Sequence, residues 1–317
     1  MLSTKQRNGV QQNLLAWYEK EGRDHLPWRQ TDNIYHVYLS EIMLQQTQVS
    51  RVMDEYYPRF LKRFPDLKAL SEATLEEVFS CWSGLGYYRR AKNLHATSQL
   101  TTPTLPDTMK ELLELPGIGK YTASAICSFG YNQSVSVVDT NIARVLGRLY
   151  AKETPKDKEL WEIADSFLNH VEARSHNLAL MDLGSMICTP KNPTCKSCPF
   201  EEECLGKNEP ELYSQKKKTL YIDKTLYYGI FQRDDKVAMY RSESGMYKDM
   251  LELKELDAKA EGELLGTFKH AYTKYRLEVY VYKIDMEGDK AVWIDKEKFA
   301  EAPISSLTTK ALGLLNG

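Results

Sequence analysis

Four of the six cysteines of this 317-residue chain lie between positions 188 and 204. Six residues separate the first two, two separate the middle pair and five separate the last two, so one short loop holds four thiols. Clustering of this kind indicates a metal site rather than a set of disulfides. Four thiolates suit either structural zinc or an iron-sulfur cluster, and the spacing alone leaves both open. The predicted ligands are Cys188, Cys195, Cys198 and Cys204.

The pattern of apolar residues changes along the chain. In the first part apolar side chains recur at helical spacing, as at Ile163 and Phe167, which predicts a nearly all-helical domain. In the last part they alternate, as at Leu277 and Val279, which predicts strands in a smaller α+β domain. A single core stops growing at roughly 250 to 300 residues, so a chain of this length favours two domains. The predicted bounds are 1–206 for the helical domain, 207–218 for a linker that contains Pro210 and the run Lys216, Lys217 and Lys218, and 219–317 for the second domain.

Charge and hydropathy limit the partners of the chain. The formal net charge is −2, so binding to nucleic acid would need a local basic patch rather than a basic protein. No segment approaches the roughly 20 apolar residues of a membrane span, and the first residues lack the apolar core of a signal peptide. We therefore expect a soluble, cytoplasmic protein that does not act at a membrane.

A glycine pair precedes one of the predicted helices. Gly117 and Gly119 stand one residue apart, directly before a helix that begins near Lys120. Unpaired N–H groups at such a helix start can face a phosphate oxygen, as in a helix-hairpin-helix contact with DNA. Many Gly-x-Gly pairs are only tight turns, so this motif depends on its context.

Two carboxylates stand out from their surroundings. Asp139 follows an apolar run and precedes a helical pattern, where it could simply be a helix N-cap. Glu41 interrupts an otherwise apolar predicted helix, where an acidic side chain is usually solvated. Cleavage of a glycosidic bond requires one carboxyl group that donates a proton and another that stays ionised, and this pair offers both.

Taken in order, several motifs resemble the MutY adenine glycosylase family. They are Ser-Glu-Ile-Met-Leu-Gln-Gln-Thr-Gln-Val at 40–49, Gly-Leu-Gly-Tyr-Tyr at 84–88, the hairpin at 115–123, Asp139 and the cysteine spacing. The resemblance implies a two-lobed helical fold of the helix-hairpin-helix and Gly/Pro-Asp superfamily, with DNA crossing the cleft. It also implies a 4Fe-4S cluster in the cysteine loop and a Nudix-like second domain. No glutamate-rich Nudix box is visible, so that domain is expected to bind and not to hydrolyse.

The resemblance also implies a role for each matched residue. Glu41 would protonate the adenine and Asp139 would stabilise the sugar cation, both supported by Tyr121 and Asn141. The base pocket would include Leu26, Trp28, Arg29, Leu178 and Met181. Residues implied to contact DNA or enter the base stack are Gln46, Tyr87, Gly117, Gly119 and Lys120. Relatives that also cut the strand have a lysine at the position of Tyr121, because a Schiff base requires an amine, so no efficient lyase activity is expected.

Some positions depart from the family pattern. Tyr272, Thr273 and Lys274 replace the Phe-Ser-His residues that sense 8-oxoguanine opposite the adenine. Leu178 stands where Gln or Glu is usual, and Thr140 replaces the usual Gly beside the catalytic Asp. These changes bear on which base is removed and which base lies opposite to it.

Three functions follow from these observations. The first is a monofunctional glycosylase that removes adenine mispaired with 8-oxoguanine or guanine in base excision repair. The second keeps the fold and the carboxylate pair but acts on another target, such as a thymine-guanine mismatch or a modified purine. The third is a DNA-binding module without catalysis. The first reading predicts a monomer that binds double-stranded DNA carrying a lesion or mismatch and needs no small-molecule coenzyme.

Overall fold

The computed structural model describes residues 2–213, 220–243, 247–248, 250–257, 262–272, 274–285, 290–299 and 302–316. Contacts between Cα atoms divide the chain into two units. The first unit comprises Met1–Tyr57 and Leu100–Lys217, and the second comprises Pro58–Gln99 and Lys218–Gly317. Among the described residues, no helix is long and apolar enough to cross a membrane.

The first unit is helical. Its helices are α1 (Thr4–Glu21), α2 (Ile34–Leu44), α3 (Val49–Arg51), α8 (Met109–Leu113), α9 (Lys120–Ala125), α10 (Thr140–Leu149), α11 (Asp157–Phe167) and α12 (Ala173–Met186), with π-helical segments at Val52–Tyr56 and Ile126–Gly130. Side chains fix several of these starts. Ser3 and Gln6 form a reciprocal capping box before α1, and such a cap stabilises a helix by about 1 kcal/mol.

The core of the first unit is a cluster of fully buried apolar side chains. Leu14 of α1, Leu146 of α10 and Leu183 of α12 are each fully buried within it. In α10 the apolar residues fall on one face, so this helix lies against the core with a polar face outward. Cys188, Cys198 and Cys204 pack against the same cluster, so the cysteine loop lies on the core.

The second unit combines helices with strands. Its helices are α4 (Tyr57–Arg63), α5 (Leu67–Glu72), α6 (Leu75–Trp82), α7 (Arg89–Thr101) and α13 (Ser306–Leu312), and its strands are β1 (Ile222–Ile230), β2 (Gln232–Arg233), β3 (Lys236–Arg241), β4 (Leu251–Glu252), β5 (Lys254–Leu256), β6 (Glu263–Tyr272), β7 (Tyr275–Lys283) and β8 (Val292–Asp295). Helix α4 begins at Tyr57, the last residue of the first unit, and α7 ends two residues beyond Gln99.

The strands form two sheets. One has the order β5-β1-β7-β6, in which β1 and β7 are parallel and β6 and β7 form an antiparallel hairpin. The other has β2, β3 and β4 in order, with β8 paired to β3. Alternate residues of β7 are buried, namely Leu277, Val279 and Val281, because successive side chains of a strand point to opposite faces. The prediction of a helical region followed by a region with strands is confirmed.

Candidate active site

Helix α2 places a carboxylate in an apolar setting. The helix starts at Asn33, whose side chain accepts hydrogen bonds from the backbone N–H groups of Tyr35 and His36. Most residues of α2 from Tyr35 to Met43 are buried, which is typical of a helix that is apolar on all faces. Glu41 is therefore 6% exposed, and it is not solvated as an isolated acidic residue usually is.

The buried Glu41 has one specific hydrogen-bond partner. The phenolic O–H of Tyr121 donates to Oε2 of Glu41 at 2.6 Å. Burial raises the pKa of Glu41 to about 7, the negative charge of Asp139 acts in the same direction, and the Tyr121 hydrogen bond and Arg29 oppose the shift. At neutral pH this carboxyl group is thus near the midpoint of its titration and can hold a proton.

Asp139 is the N-cap of α10. Its Oδ1 accepts a hydrogen bond from the backbone N–H of Ile142 at 2.7 Å, and its Oδ2 accepts one from Nδ2 of Asn141 at 2.9 Å. The pKa of Asp139 is raised, because burial outweighs the opposite effect of these hydrogen bonds and of Arg144. The donors at the helix start stabilise the ionised form, so Asp139 differs from Glu41 in having hydrogen bonds to both carboxylate oxygens.

The two carboxylates line one cavity of about 930 Å³ in the first unit. This volume is within the range of pockets that hold small molecules. The predicted base-pocket residues and the supporting residues line the same cavity, together with one predicted stacking residue: Leu26, Trp28, Arg29, Gln46, Tyr121, Asn141, Leu178 and Met181. Thr140, beside Asp139, lines it as well.

The two residues predicted to enter the base stack share an unusual backbone. Gln46 and Tyr87 adopt positive φ angles of 58° and 51°, which are uncommon for residues other than glycine and cluster at functional sites. Gln46 is exposed at the cavity of the first unit. Tyr87 belongs to the second unit and lies against the guanidinium of Arg90, at 5.4 Å from Cζ to the ring centroid.

The predicted hairpin precedes α9. Gly117 has a φ of 73°, and Gly119 caps α9 without any side-chain hydrogen bond. No atom lies within 4 Å of the position of a Cβ at Gly119, so the backbone there can be approached closely. Lys120 follows as the first residue of α9, and its side chain is not among those lining the cavity of Glu41 and Asp139.

An ion cluster that the sequence reasoning missed lies at the cavity. Asp182, on α12, has a fully buried side chain and accepts hydrogen bonds from both Arg29 and Arg23. Arg29 Nη1 lies 2.6 Å from Oδ2, and Arg23 Nε lies 2.8 Å from Oδ1. These arginines lower the pKa of Asp182 although burial acts to raise it. The signal in the sequence is the position of Asp182, four residues after Leu178 and so on the same helix face.

Two arginines of α10 bind the cysteine loop. Arg148 Nη1 donates to Sγ of Cys188 at 3.2 Å and to the carbonyl of Thr189 at 2.7 Å. Arg144 Nε donates to the carbonyl of Cys188 at 2.7 Å, and Nη2 of Arg144 donates to Oδ1 of Asn141 at 2.9 Å. The helix that Asp139 caps is thereby tied to the first cysteine of the loop.

The four predicted cysteine ligands line one cavity, together with Arg148 and Lys207. All four are free thiols, and burial raises the pKa of Cys195, Cys198 and Cys204. Among the residues that the structure describes, no group of three or more His, Cys, Asp or Glu side chains is arranged to hold a metal ion. The thiols are gathered around one space without forming such a group.

The predicted opposite-base residues lie at the β6–β7 hairpin. Tyr272 ends β6, where its backbone pairs with Tyr275, whereas its side chain and the whole of Thr273 lie outside the described residues. Lys274 is exposed at the turn, and its carbonyl accepts a hydrogen bond from the backbone N–H of Ile222 at 2.8 Å. Its Nζ lies 5.5 Å from the ring centroid of Tyr275.

Residues 39–169 match the sequence profile of a family described as the HhH-GPD superfamily base excision DNA repair protein. The fold agrees with this match: the chain is similar to a solved structure of a thermostable thymine-DNA glycosylase, with a TM-score of 0.60, 27% identity and coverage of 65% of this chain and 98% of that chain. The helical fold and its paired carboxylates define the class as a helix-hairpin-helix base excision repair protein.

Relatives narrow the class to a family. The chain is 40% identical over 227 residues to the adenine DNA glycosylase of Buchnera aphidicola subsp. Baizongia pistaciae, covering 68% of this chain and 64% of that protein. It is 32% identical over 261 residues to the adenine DNA glycosylase of Buchnera aphidicola subsp. Schizaphis graminum, covering 78% of this chain and 75% of that protein. The chain belongs to the adenine DNA glycosylase family. It spans about two thirds of the length of the first of these relatives.

Proposed function

We propose that the protein is a monofunctional adenine DNA glycosylase of base excision repair that hydrolyses the N-glycosidic bond of adenine mispaired with 8-oxoguanine or guanine. The observation that carries this proposal is the arrangement of two different carboxyl groups around one cavity. Glu41 is buried with a pKa of about 7, and Asp139 caps α10 with hydrogen bonds to both oxygens. The names of the two relatives support adenine as the base.

Glu41 is the proton donor in this mechanism. A purine leaves readily only when it departs neutral, which requires a proton on the base as the bond breaks. Glu41 can hold that proton near neutral pH because burial disfavours its ionised form. The Tyr121 hydroxyl fixes the orientation of the carboxyl group through Oε2, so Oε1 is the oxygen left to face the base.

Asp139 stabilises the positive charge that develops on the sugar. A carboxylate fixed by the backbone N–H of Ile142 and the amide of Asn141 does not need to reorganise as that charge forms. The same division of labour between an acid and an ionised carboxylate operates in glycoside hydrolysis. Water then completes the hydrolysis at the sugar carbon.

The target base must leave the duplex before it can enter the cavity. Gln46 and Tyr87 would fill the vacated space in the stack, a role suited to a flat amide and an aromatic ring. The hairpin of Gly117 and Gly119 would contact a backbone phosphate. Tyr121 supplies no amine at the position where lyases have lysine, so the strand would stay intact after base removal.

Single-turnover base release tests the proposal directly. The duplexes carry adenine opposite 8-oxoguanine, guanine, cytosine or thymine, with a thymine-guanine duplex beside them, and strand cleavage is scored before and after alkali. We expect adenine opposite 8-oxoguanine to be fastest and strand cleavage to appear only after alkali. Asp139→Asn is the matched control, expected to bind DNA and release no base. A DNA-binding module without catalysis would release nothing in the wild type.

A second target is favoured by one side chain. Leu178 is buried at the cavity where the family pattern has Gln or Glu, so that position offers no hydrogen bond to a base edge. A glycosylase with this fold could therefore act on thymine opposite guanine or on a modified purine. Fastest release from the thymine-guanine duplex would support this candidate and overturn adenine as the substrate.

We also propose that the cysteine loop holds a 4Fe-4S cluster. Four thiols that line one cavity offer the four thiolate ligands that such a cluster takes. The hydrogen bond from Arg148 to Sγ of Cys188 is the kind that stabilises a ligating thiolate. Once bound, the cluster would crosslink the loop.

Metal analysis of the purified protein distinguishes these ligands. Iron and acid-labile sulfide in equal amounts, about four of each per chain, would support the cluster, and one zinc per chain would overturn it. Cys198→Ser, which removes one ligand, should lower the iron content and the thermal stability together. Cys81→Ser is the matched control, because Cys81 is a free thiol far from the loop in sequence, and it should change neither.

For the second domain we propose a Nudix-like fold, at 219–317 beyond a linker at 207–218, that recognises the base opposite the adenine. The mixed sheet with β1 parallel to β7 supports this proposal. Lys274, exposed at the β6–β7 turn, is the described member of the predicted sensing set. Lys274→Ala should reduce the preference for 8-oxoguanine over guanine without changing release from the guanine pair. We further expect the protein to be cytoplasmic and associated with DNA. We also expect a monomer, and light scattering of the purified protein would test that oligomeric state.

A further inference from the structure

The first residue after the hairpin rests on an aromatic ring. Nζ of Lys120 lies 3.8 Å from the centroid of the Trp161 ring. Trp161 is on α11 and only 7% exposed, so the surrounding core fixes its ring. A cation over the face of a tryptophan is attracted by the π electrons, and tryptophan is the strongest of the aromatic partners. The ring therefore restrains an otherwise flexible four-carbon side chain.

The kind of group that contacts the Lys120 ammonium decides whether its positive charge is neutralised. A carboxylate would hold the ammonium and also neutralise it, whereas an aromatic ring holds it and leaves its full positive charge. Among the described residues no carboxylate forms an ion pair with Lys120. Lys120 is exposed to solvent, so the charge is both fixed in place and available to an anion.

The surroundings of Lys120 bear on which anion its ammonium would contact. Lys120 directly follows Gly119, where the backbone is open to close approach, and it lies outside the cavity that holds Glu41 and Asp139. Leu160, the neighbour of Trp161 in the chain, does line that cavity. The ammonium thus lies outside the cavity of the two carboxylates and is open to an anion from solvent.

We propose that Trp161 is a positioning residue that holds the Lys120 ammonium as a fixed contact for a backbone phosphate of DNA. The contact between Trp161 and Lys120 contributes to DNA affinity and not to the chemical step. This inference rests on the proposed function, since it requires that the protein bind duplex DNA. It assigns a role in substrate binding to a buried residue that no motif of the chain marks.

A double-mutant cycle on DNA affinity tests the proposal. The variants are Trp161→Leu, Lys120→Gln and the two combined, and Kd is measured for a duplex without an excisable mispair over a series of salt concentrations. Lys120→Gln should weaken binding about tenfold at low salt and reduce the slope of log K against log salt by about one, the loss of a single phosphate contact. Trp161→Leu should weaken binding by about three- to tenfold, and the double variant should bind no more weakly than Lys120→Gln.

Two further variants separate positioning from packing. Trp161→Phe keeps an aromatic face and should retain most of the affinity, and it carries the test if Trp161→Leu does not fold. Trp17→Leu makes the same substitution at a partly buried tryptophan that packs against the core cluster of the first unit; it should leave the salt slope unchanged even if it lowers the melting temperature. Single-turnover base release at saturating enzyme reports the chemical step apart from DNA affinity, and Trp17→Leu should leave it unchanged.

Specific outcomes overturn the proposal. Additive losses in the cycle, an unchanged salt slope in Lys120→Gln, or a slower chemical step in Trp161→Phe would each show that the ring does not act through a phosphate contact of Lys120. Failure of the wild type to bind duplex DNA would instead refute the proposed function, so the two failures are distinguishable.

Discussion

Each of the two units contains a glutamate whose pKa is raised to about 7, but Glu41 is buried whereas Glu252 is only partly buried. Glu41, in the helical unit, lines a cavity of about 930 Å³ with Asp139 and accepts a hydrogen bond from Tyr121. Glu252, on β4 of the second unit, has a side-chain hydrogen bond with Ser242, and its Oε1 has no hydrogen-bond partner among the described residues. Burial is the largest cause of the raised pKa at both.

A raised pKa of a carboxyl group indicates burial and is not by itself evidence of function. A carboxyl group becomes a candidate acid when it also faces a space that a substrate can enter and a second carboxylate with a different environment. Glu41 meets both conditions, and the unpartnered Oε1 of Glu252 instead marks a group that is costly to bury. Glu41 is expected to affect the reaction, and Glu252 is expected to affect stability.

The largest expected effect separates the two glutamates by activity. Glu41→Gln should slow single-turnover release of adenine by about 10²- to 10⁴-fold, the usual contribution of a general acid, because glutamine cannot supply the proton. Glu252→Gln, the same substitution in the second unit, should leave the rate within about threefold of wild type. Equal losses in both variants would mean that the cavity of Glu41 does not distinguish the sites.

A smaller effect separates them by stability. The folded pKa of Glu252 lies above the unfolded value of 4.5, so the folded protein binds more protons between these pH values and stability falls as pH rises from about 4.5 through 7. Glu252→Gln removes this dependence and should raise the free energy of unfolding at pH 8 by about 1–3 kcal/mol, with little effect at pH 4.5. Chemical denaturation of both proteins at the two pH values measures it. A variant that is less stable at pH 8 would contradict the assignment of a partly buried, ionising Glu252.

Above neutral pH, the pH dependence of the reaction should follow Glu41. A proton donor must be protonated, so the chemical rate should be level below its pKa of about 7 and fall by about tenfold per pH unit well above it. The profile of Glu252→Gln should overlay that of wild type. Single-turnover rates between pH 5.5 and 9 provide the measurement, and a rate that does not fall above pH 7 would remove the role of Glu41 as the acid.

The features that the sequence predicted lie in short local segments, whereas those it did not predict are contacts between residues far apart in the chain. Glu41, Asp139 and the cysteine loop belong to local motifs whose resemblance to a family predicts their roles, and the structure brings Glu41 and Asp139 to one cavity. The Arg23, Arg29 and Asp182 cluster joins side chains more than 150 positions apart, and no local period encodes such a contact.

The same limit applies in the second unit. Alternating apolar residues predicted strands, yet the parallel pairing of β1 with β7 joins residues about 50 positions apart and follows from the crossover between them. The contact of Lys120 with Trp161 joins two helices in the same way. The motifs therefore indicated the candidate residues, whereas the long-range contacts of those residues could be seen only in the structure.

The smallest expected effect concerns the hydrogen bond from Tyr121 to Glu41, whose counterpart at Glu252 is the hydrogen bond with Ser242. The Tyr121 hydroxyl donates to Oε2 of Glu41 at 2.6 Å and lowers the pKa of that carboxyl group against the effect of burial. Tyr121→Phe removes the donor, so the pKa of Glu41 should rise further and the falling limb of the rate profile should move to higher pH. The level part of the profile should drop only a few-fold, because Phe keeps the ring and loses only the orienting contact. A limb that moves to lower pH would mean that Tyr121 stabilises the protonated form of Glu41, whereas the hydrogen bond from Ser242 lowers the pKa of Glu252.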